Sequence, residues 1–178
     1  MKLVKDLISE NFQSVPCEKG YYTWWFTKEK TIILLEKINK ELADEDKIIF
    51  SNLKKNPYLD YYALYFGIAC SKEGLNQRIK WHTAKINGHT DSNVRRGTLS
   101  TLRQTISGLN EWYMIKSSSQ VDDFISDCYW EWKTASVPER MEKYELENNC
   151  YPLNIKGNKR ITKECRKRLK EMRKKYRI

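Results

Sequence analysis

The chain has 178 residues, with 33 Lys or Arg against 23 Asp or Glu and a formal charge of +10. At this size a chain buries roughly 70% of its unfolded surface, so one hydrophobic core over residues 1–178 forms without metals or disulfides and a single α+β domain is expected. The longest apolar run, Tyr61 to Cys70, is rich in Tyr and far short of the roughly 18 residues of a membrane span.

Charges in Met1-Lys2-Leu3-Val4-Lys5-Asp6 occupy the place of a signal peptide's apolar stretch, so a cytoplasmic protein with no membrane partner is expected. Leu3, Val4, Leu7, Ile8 and Phe12 predict a short helix that ends before Pro16. Gly20 to Phe26 is aromatic and β-branched, the composition of a strand. Ile32, Leu35, Ile38 and Leu42 recur at helical spacing and predict a helix over Lys28 to Asp46. Ile48-Ile49-Phe50 is too short to assign. After Asn56-Pro57, Tyr61 to Ala69 reads as a buried strand, and Leu75, Ile79, His82 and Ile86 share one face of a helix beginning at Gly74. Gly88 to Gly97 is a polar loop holding His89, Arg95 and Arg96, and Leu99, Leu102, Ile106 and Leu109 mark the next helix. Cys128 to Lys133 alternates like a strand, and Pro138 suits the first turn of a helix running toward Asn149.

The tail carries the whole charge excess. Residues 156–178 contain twelve Lys or Arg and two Glu, which leaves 21 basic and 21 acidic residues in the rest of the chain. Ile161, Cys165, Leu169, Met172 and Tyr176 follow one another by three or four positions, so a basic amphipathic helix over 157–178 is expected to dock on one stripe. Its free face is expected to meet phosphate through Lys167, Lys170, Lys174 and Arg177, with Arg95, Arg96 and Arg103 as further contacts.

Few strands interspersed with helices, outside a strict βαβ rhythm, predict a small central, mostly antiparallel sheet flanked by helices. Five scattered cysteines with no CxxC pair, and only two histidines, supply neither a disulfide framework nor a zinc site.

Two strand-like segments carry tyrosine and glycine in a set order, Gly20-Tyr21-Tyr22 and Tyr65-Phe66-Gly67. Arg78 follows Gly67 by eleven residues, His82 comes one helical turn later, and Glu142 precedes Asn154 by twelve. This order resembles the GIY-YIG nuclease superfamily, and over residues 16–156 it is similar to the branch containing small type II restriction-like endonucleases. Val15-Pro16, the segment Thr98 to Arg103 and Pro152-Leu153-Asn154 add to the likeness. Tyr21 and Phe66 stand where the family usually has isoleucine, and 43 positions separate Tyr22 from Tyr65 where the family commonly has a tighter hairpin. Such an insertion adds only about 0.6 kcal/mol per doubling of loop length.

The resemblance implies a metal-dependent endonuclease acting on double-stranded DNA with Mg²⁺ or Mn²⁺. Its catalytic set maps onto Tyr22, Tyr65, Arg78, His82, Glu142 and Asn154. The residue types suit the chemistry. Arg78 is planar, always charged and fitted to charge growing on phosphorus. His82, at i+4 from Arg78, shares its helix face and can relay a proton. Glu142 is the carboxylate for a magnesium-type ion, and Asn154 holds the assembly or the DNA backbone. Tyr22 is a poor base unless a neighbouring cation such as Arg78 lowers its pKa. The alternative is the same fold with catalysis lost, acting as a nucleic-acid-binding or regulatory protein; a third class is a protein-interaction domain whose basic helix meets an acidic partner.

Overall fold

The computed structural model of the chain describes residues 1–84, 100–114 and 118–177. In chain order its elements are β1 (Lys2–Leu3), α1 (Val4–Ser9), β2 (Gly20–Thr27), α2 (Lys28–Asn39), β3 (Tyr61–Ala69) and α3 (Gly74–His82). These are followed by α4 (Thr101–Leu109), α5 (Ser118–Ile125), β4 (Tyr129–Thr134), α6 (Pro138–Asn148) and α7 (Lys163–Lys175). The strands pair antiparallel throughout, in the order β1-β4-β2-β3. The expected α+β architecture is the observed one.

β2 lies inside the sheet and is covered on both faces, which is why its sequence reads as a nearly continuous aromatic run instead of an alternation. Tyr22, Trp24 and Phe26 enter the main core with Leu34, Ile38, Ile79, Leu102, Trp130 and Leu169. Trp25, Ala63, Phe66, Leu146 and Tyr151 form a smaller cluster on the opposite face, beneath α6. A register shift between Trp24 and Trp25 inserts Leu64 into β3, so Leu64 and Tyr65 both reach the main core.

Side chains define several helix ends. Thr27, Ser100 and Thr162 cap α2, α4 and α7 by accepting the amide hydrogens of Lys30, Arg103 and Cys165, each cap contributing about 1 kcal/mol. α2 stops at Asn39, short of the expected Asp46. There the Asn39 carboxamide pairs with both backbone groups of Ile48, at 2.9 Å each, and the chain turns through Glu41 at positive φ. The two-residue strand β1 is too short to display a period, and α5 has no counterpart in the sequence reading although Val121, Phe124 and Ile125 stand at helical spacing.

α7 docks on α4 through Cys165 and Leu169, and Tyr176 just beyond its end is also buried; Met172 is half-buried. A Cβ at Gly108 would press on the Met172 carbonyl, so the glycine lets the two helices approach closely. The helix is shorter than the 157–178 expected, because residues before Thr162 spend their polar groups on turns around Asn158. Among the described residues no helix is long and apolar enough to cross a membrane. Ile86, His89, Arg95, Arg96 and Leu99 lie outside the described residues.

Candidate active site

Sheet register brings the two tyrosine motifs together. Tyr22 on β2 pairs with Gly67 on β3 and Trp24 with Tyr65, so Tyr22 and Tyr65 are diagonal neighbours on one face with ring centroids 6.4 Å apart. Gly67 makes this possible: a Cβ there would overlap the Tyr22 hydroxyl, so the ring lies across the glycine.

His82, in the last turn of α3, completes an aromatic triangle with ring centroids 5.3 Å from Tyr22 and 5.7 Å from Tyr65. The Tyr22 hydroxyl is 2.8 Å from His82 Nε2, and His82 Nδ1 is 2.6 Å from Ser100 Oγ. Burial pushes the Tyr22 phenol well above its ordinary pKa, with Tyr65 adding to the rise and Arg78 opposing it. Desolvation outweighs the arginine, so Arg78 by itself does not lower the Tyr22 pKa. Burial, with Arg78 and then Arg103, holds His82 well below the usual imidazole range. Both rings are neutral at neutral pH.

Tyr65 faces a different surface. Its hydroxyl is 3.1 Å from Thr101 Oγ1, and the residue lines a cavity of about 330 Å³. Glu142 on α6 lines the same cavity with Asn154, Lys156 and Arg173. Burial raises the Glu142 pKa against the opposing charge of Lys156, with Glu139 raising it further and Arg78 opposing. Neighbouring glutamates are otherwise engaged: Glu145 accepts from Lys54, Asn149 and Tyr151, Glu147 from Lys159, and Glu139 from Cys70. Glu142 makes no hydrogen bond or ion pair with a described residue. Arg78 is half-buried one turn before His82, and its charge is felt at Tyr22, His82 and Glu142 alike.

Asn154 is 7% exposed, and both ends of its carboxamide bond strand β3. Oδ1 accepts the Phe66 amide hydrogen at 2.8 Å and Nδ2 donates to the Phe66 carbonyl at 2.7 Å. With the Leu153 amide bonded to the Leu64 carbonyl at 2.9 Å, this segment closes the outer edge of β3 between Tyr65 and Gly67.

Arg103 does not face phosphate. α4 is buried along nearly its whole length, and Arg103 is 1% exposed, donating to Asp122 at 2.5 Å and to the His82 carbonyl at 3.2 Å. It braces the end of α3 against α5. Lys167, Lys170 and Lys174 are exposed along α7, whereas Arg177 is half-buried and its Nε has no hydrogen-bond partner among the described residues. Sequence reasoning missed Ser100, Thr101, Lys156 and Arg173. For Arg173 a signal existed, since it follows the buried Cys165 and Leu169 at successive steps of four.

The family model for the GIY-YIG catalytic domain matches residues 20–175, from the first residue of β2 to the last of α7. No curated protein and no solved structure matches the chain. With the family match spanning nearly the whole chain and the two tyrosine motifs paired across adjacent strands, this protein belongs to the GIY-YIG family and carries a nuclease-type domain.

Proposed function

We propose that the protein is a divalent-metal-dependent endonuclease that hydrolyses phosphodiester bonds of double-stranded DNA. The observation that carries this reading is the cavity that Tyr65, the unengaged Glu142 and the cations Lys156 and Arg173 line together.

The donor set fits Mg²⁺ or Mn²⁺. Among the described residues no cluster of three His, Cys, Asp or Glu gathers, so Glu142 would hold the ion by one hard oxygen ligand, the arrangement of a cation that keeps waters and takes phosphate oxygens. When bound, such an ion supplies Lewis-acid stabilisation of the phosphate and acidifies water.

The chain's own groups do the rest. In the His82 tautomer that suits this role, the Nδ1 hydrogen goes to Ser100 Oγ and Nε2 accepts the Tyr22 hydroxyl hydrogen. As the attacking water gives a proton to Tyr22 Oη, the tyrosine's own proton passes to Nε2, so Tyr22 stays neutral and His82 carries the charge as an imidazolium until the proton is returned. Tyr65 orients the phosphate from the cavity wall. Arg78, whose charge is felt at Tyr22, His82 and Glu142, stabilises charge that develops on the phosphate oxygens. Asn154 acts as a positioning residue through β3.

The experiment is supercoiled plasmid incubated with the protein and Mg²⁺ or Mn²⁺, compared with Arg78→Ala. The wild type should cut, and the variant should be at least 10²-fold slower, about 2.7 kcal/mol in the barrier. Wild-type protein that binds duplex DNA and cuts it with neither ion would instead mark the binding-module alternative.

A further inference from the structure

We propose that Arg173 is a phosphate-binding residue of this cavity, through which the C-terminal helix holds the non-bridging oxygens of a DNA phosphate beside Tyr65. The proposal deepens the nuclease reading and rests on it for the identity of the ligand.

Arg173 leaves α7 on the flank of its buried stripe, where Gly108 lets the helix lie close against α4. Two contacts orient its guanidinium. Nε donates to Thr105 Oγ1 at 2.6 Å, and Nη2 donates to the Leu153 carbonyl at 3.4 Å. The Thr105 hydroxyl spends its own hydrogen on the Thr101 carbonyl at 2.7 Å, so toward Arg173 it can only accept. Nη1 donates to no described residue, and the side chain lines the cavity with Tyr65 and Glu142.

No acidic side chain of the described residues pairs with this cation. The contrast lies on the same helix, where Arg168 pairs with Glu41 at 2.7 Å, and in the core, where Arg103 pairs with Asp122. Burial lowers the Arg173 pKa to about 10, with Tyr65 opposing and Arg177 adding to the fall, so the group is still charged at neutral pH. A half-buried guanidinium without a carboxylate is unfavourable in the folded state. An incoming anion removes that penalty, and the free edge of the planar fork matches two phosphate oxygens. Lys156 stands on the same wall, so the cavity holds two cations against one carboxylate.

The test uses the full chain as wild type, Arg173→Met and Arg173→Lys. Melting temperature is measured in EDTA with increasing inorganic phosphate, and single-turnover cleavage is measured with Mg²⁺. Phosphate should raise the wild-type melting temperature, raise that of Arg173→Lys less and leave that of Arg173→Met unmoved. Without phosphate Arg173→Met should melt no lower than wild type, an outcome that a purely structural arginine would not produce. Cleavage by Arg173→Met should fall about 10²-fold, while duplex affinity stays within a few-fold because the exposed lysines of α7 are intact. A wild type that cuts nothing yet shows the Arg173-dependent phosphate shift would end the nuclease reading and keep the anion site. A phosphate shift unchanged in Arg173→Met, or cleavage at the wild-type rate, would overturn the proposal. Should Arg173→Met fail to fold, Arg173→Lys decides: wild-type phosphate response and cleavage there reject a bidentate contact.

Discussion

The Tyr22 hydroxyl lies 2.8 Å from His82 Nε2, both residues buried, although sixty positions separate them in the chain. Each ring is held neutral by its burial, and each gives the other its hydrogen-bond partner. Removing one leaves a buried polar atom unsatisfied, which costs about 1–3 kcal/mol. His82→Ala should therefore be destabilised by that order and cleave DNA at least 10²-fold more slowly.

The same pair sets a pH dependence. A histidine whose folded pKa is depressed contributes stability that is present above its unfolded pKa, about 6.5, and is lost as pH falls below it, because only the unfolded chain gains the proton. The melting temperature of wild type should therefore drop relative to His82→Gln as pH is lowered from 7 to 5. Parallel curves for the two proteins would mean that His82 is protonated in the fold.

Glu142 and Glu145 sit one turn apart on α6 and should separate cleanly. Glu142→Gln should abolish metal-dependent cleavage and melt no lower than wild type at neutral pH, since a half-buried carboxylate of raised pKa is replaced by a neutral isostere. For a carboxyl with a raised folded pKa the cost exists at higher pH and vanishes as pH falls below the unfolded value of about 4.3, so any gain should disappear there. Glu145→Gln should be the less stable protein, losing a charged partner of Lys54 and Tyr151. Thermal melts with and without Mg²⁺ add a second reading, because the ion should raise the wild-type melting temperature and not that of Glu142→Gln.

Asn154 tests whether the β3 edge positions the site. Asn154→Ala orphans the Phe66 amide and carbonyl, so urea unfolding should show a loss of about 1–3 kcal/mol for each group. Single-turnover cleavage should fall with little change in duplex affinity. Unchanged stability with lost cleavage would instead put the side chain on the substrate.

The exposed face of α7 should supply much of the non-specific affinity. Neutralising Lys167, Lys170 and Lys174 together should lower the slope of log affinity against log salt by up to about 3, near 0.9 for each duplex phosphate that the helix no longer neutralises. Fluorescence anisotropy on a labelled duplex at several salt concentrations measures this, and an unchanged slope would remove the helix from the binding surface.

The sequence by itself determined the three long strands and the docked basic helix. Buried strands next to helices are written in aromatic and β-branched composition, as at Gly20 to Phe26 and Tyr61 to Ala69, and the stripe from Ile161 to Tyr176 is written in its period. The order of Tyr22, Tyr65, Arg78, His82, Glu142 and Asn154 was equally legible, and with it the family. Only the tertiary structure decided the partners. Periodicity states which face of a helix is covered and not what covers it, so Arg103 looked like a surface cation until α5 brought Asp122 to it. Four glutamates on one helix are equivalent until Lys54, Tyr151 and Lys159 engage two of them, Cys70 a third, and Glu142 is left facing the cavity. Asn154 binding Phe66 and Arg173 reaching the wall beside Tyr65 are contacts between side chains and distant backbone or cavity. No local pattern encodes them, because their energy comes from groups that become neighbours only when the sheet edge and the last helix close around the same space.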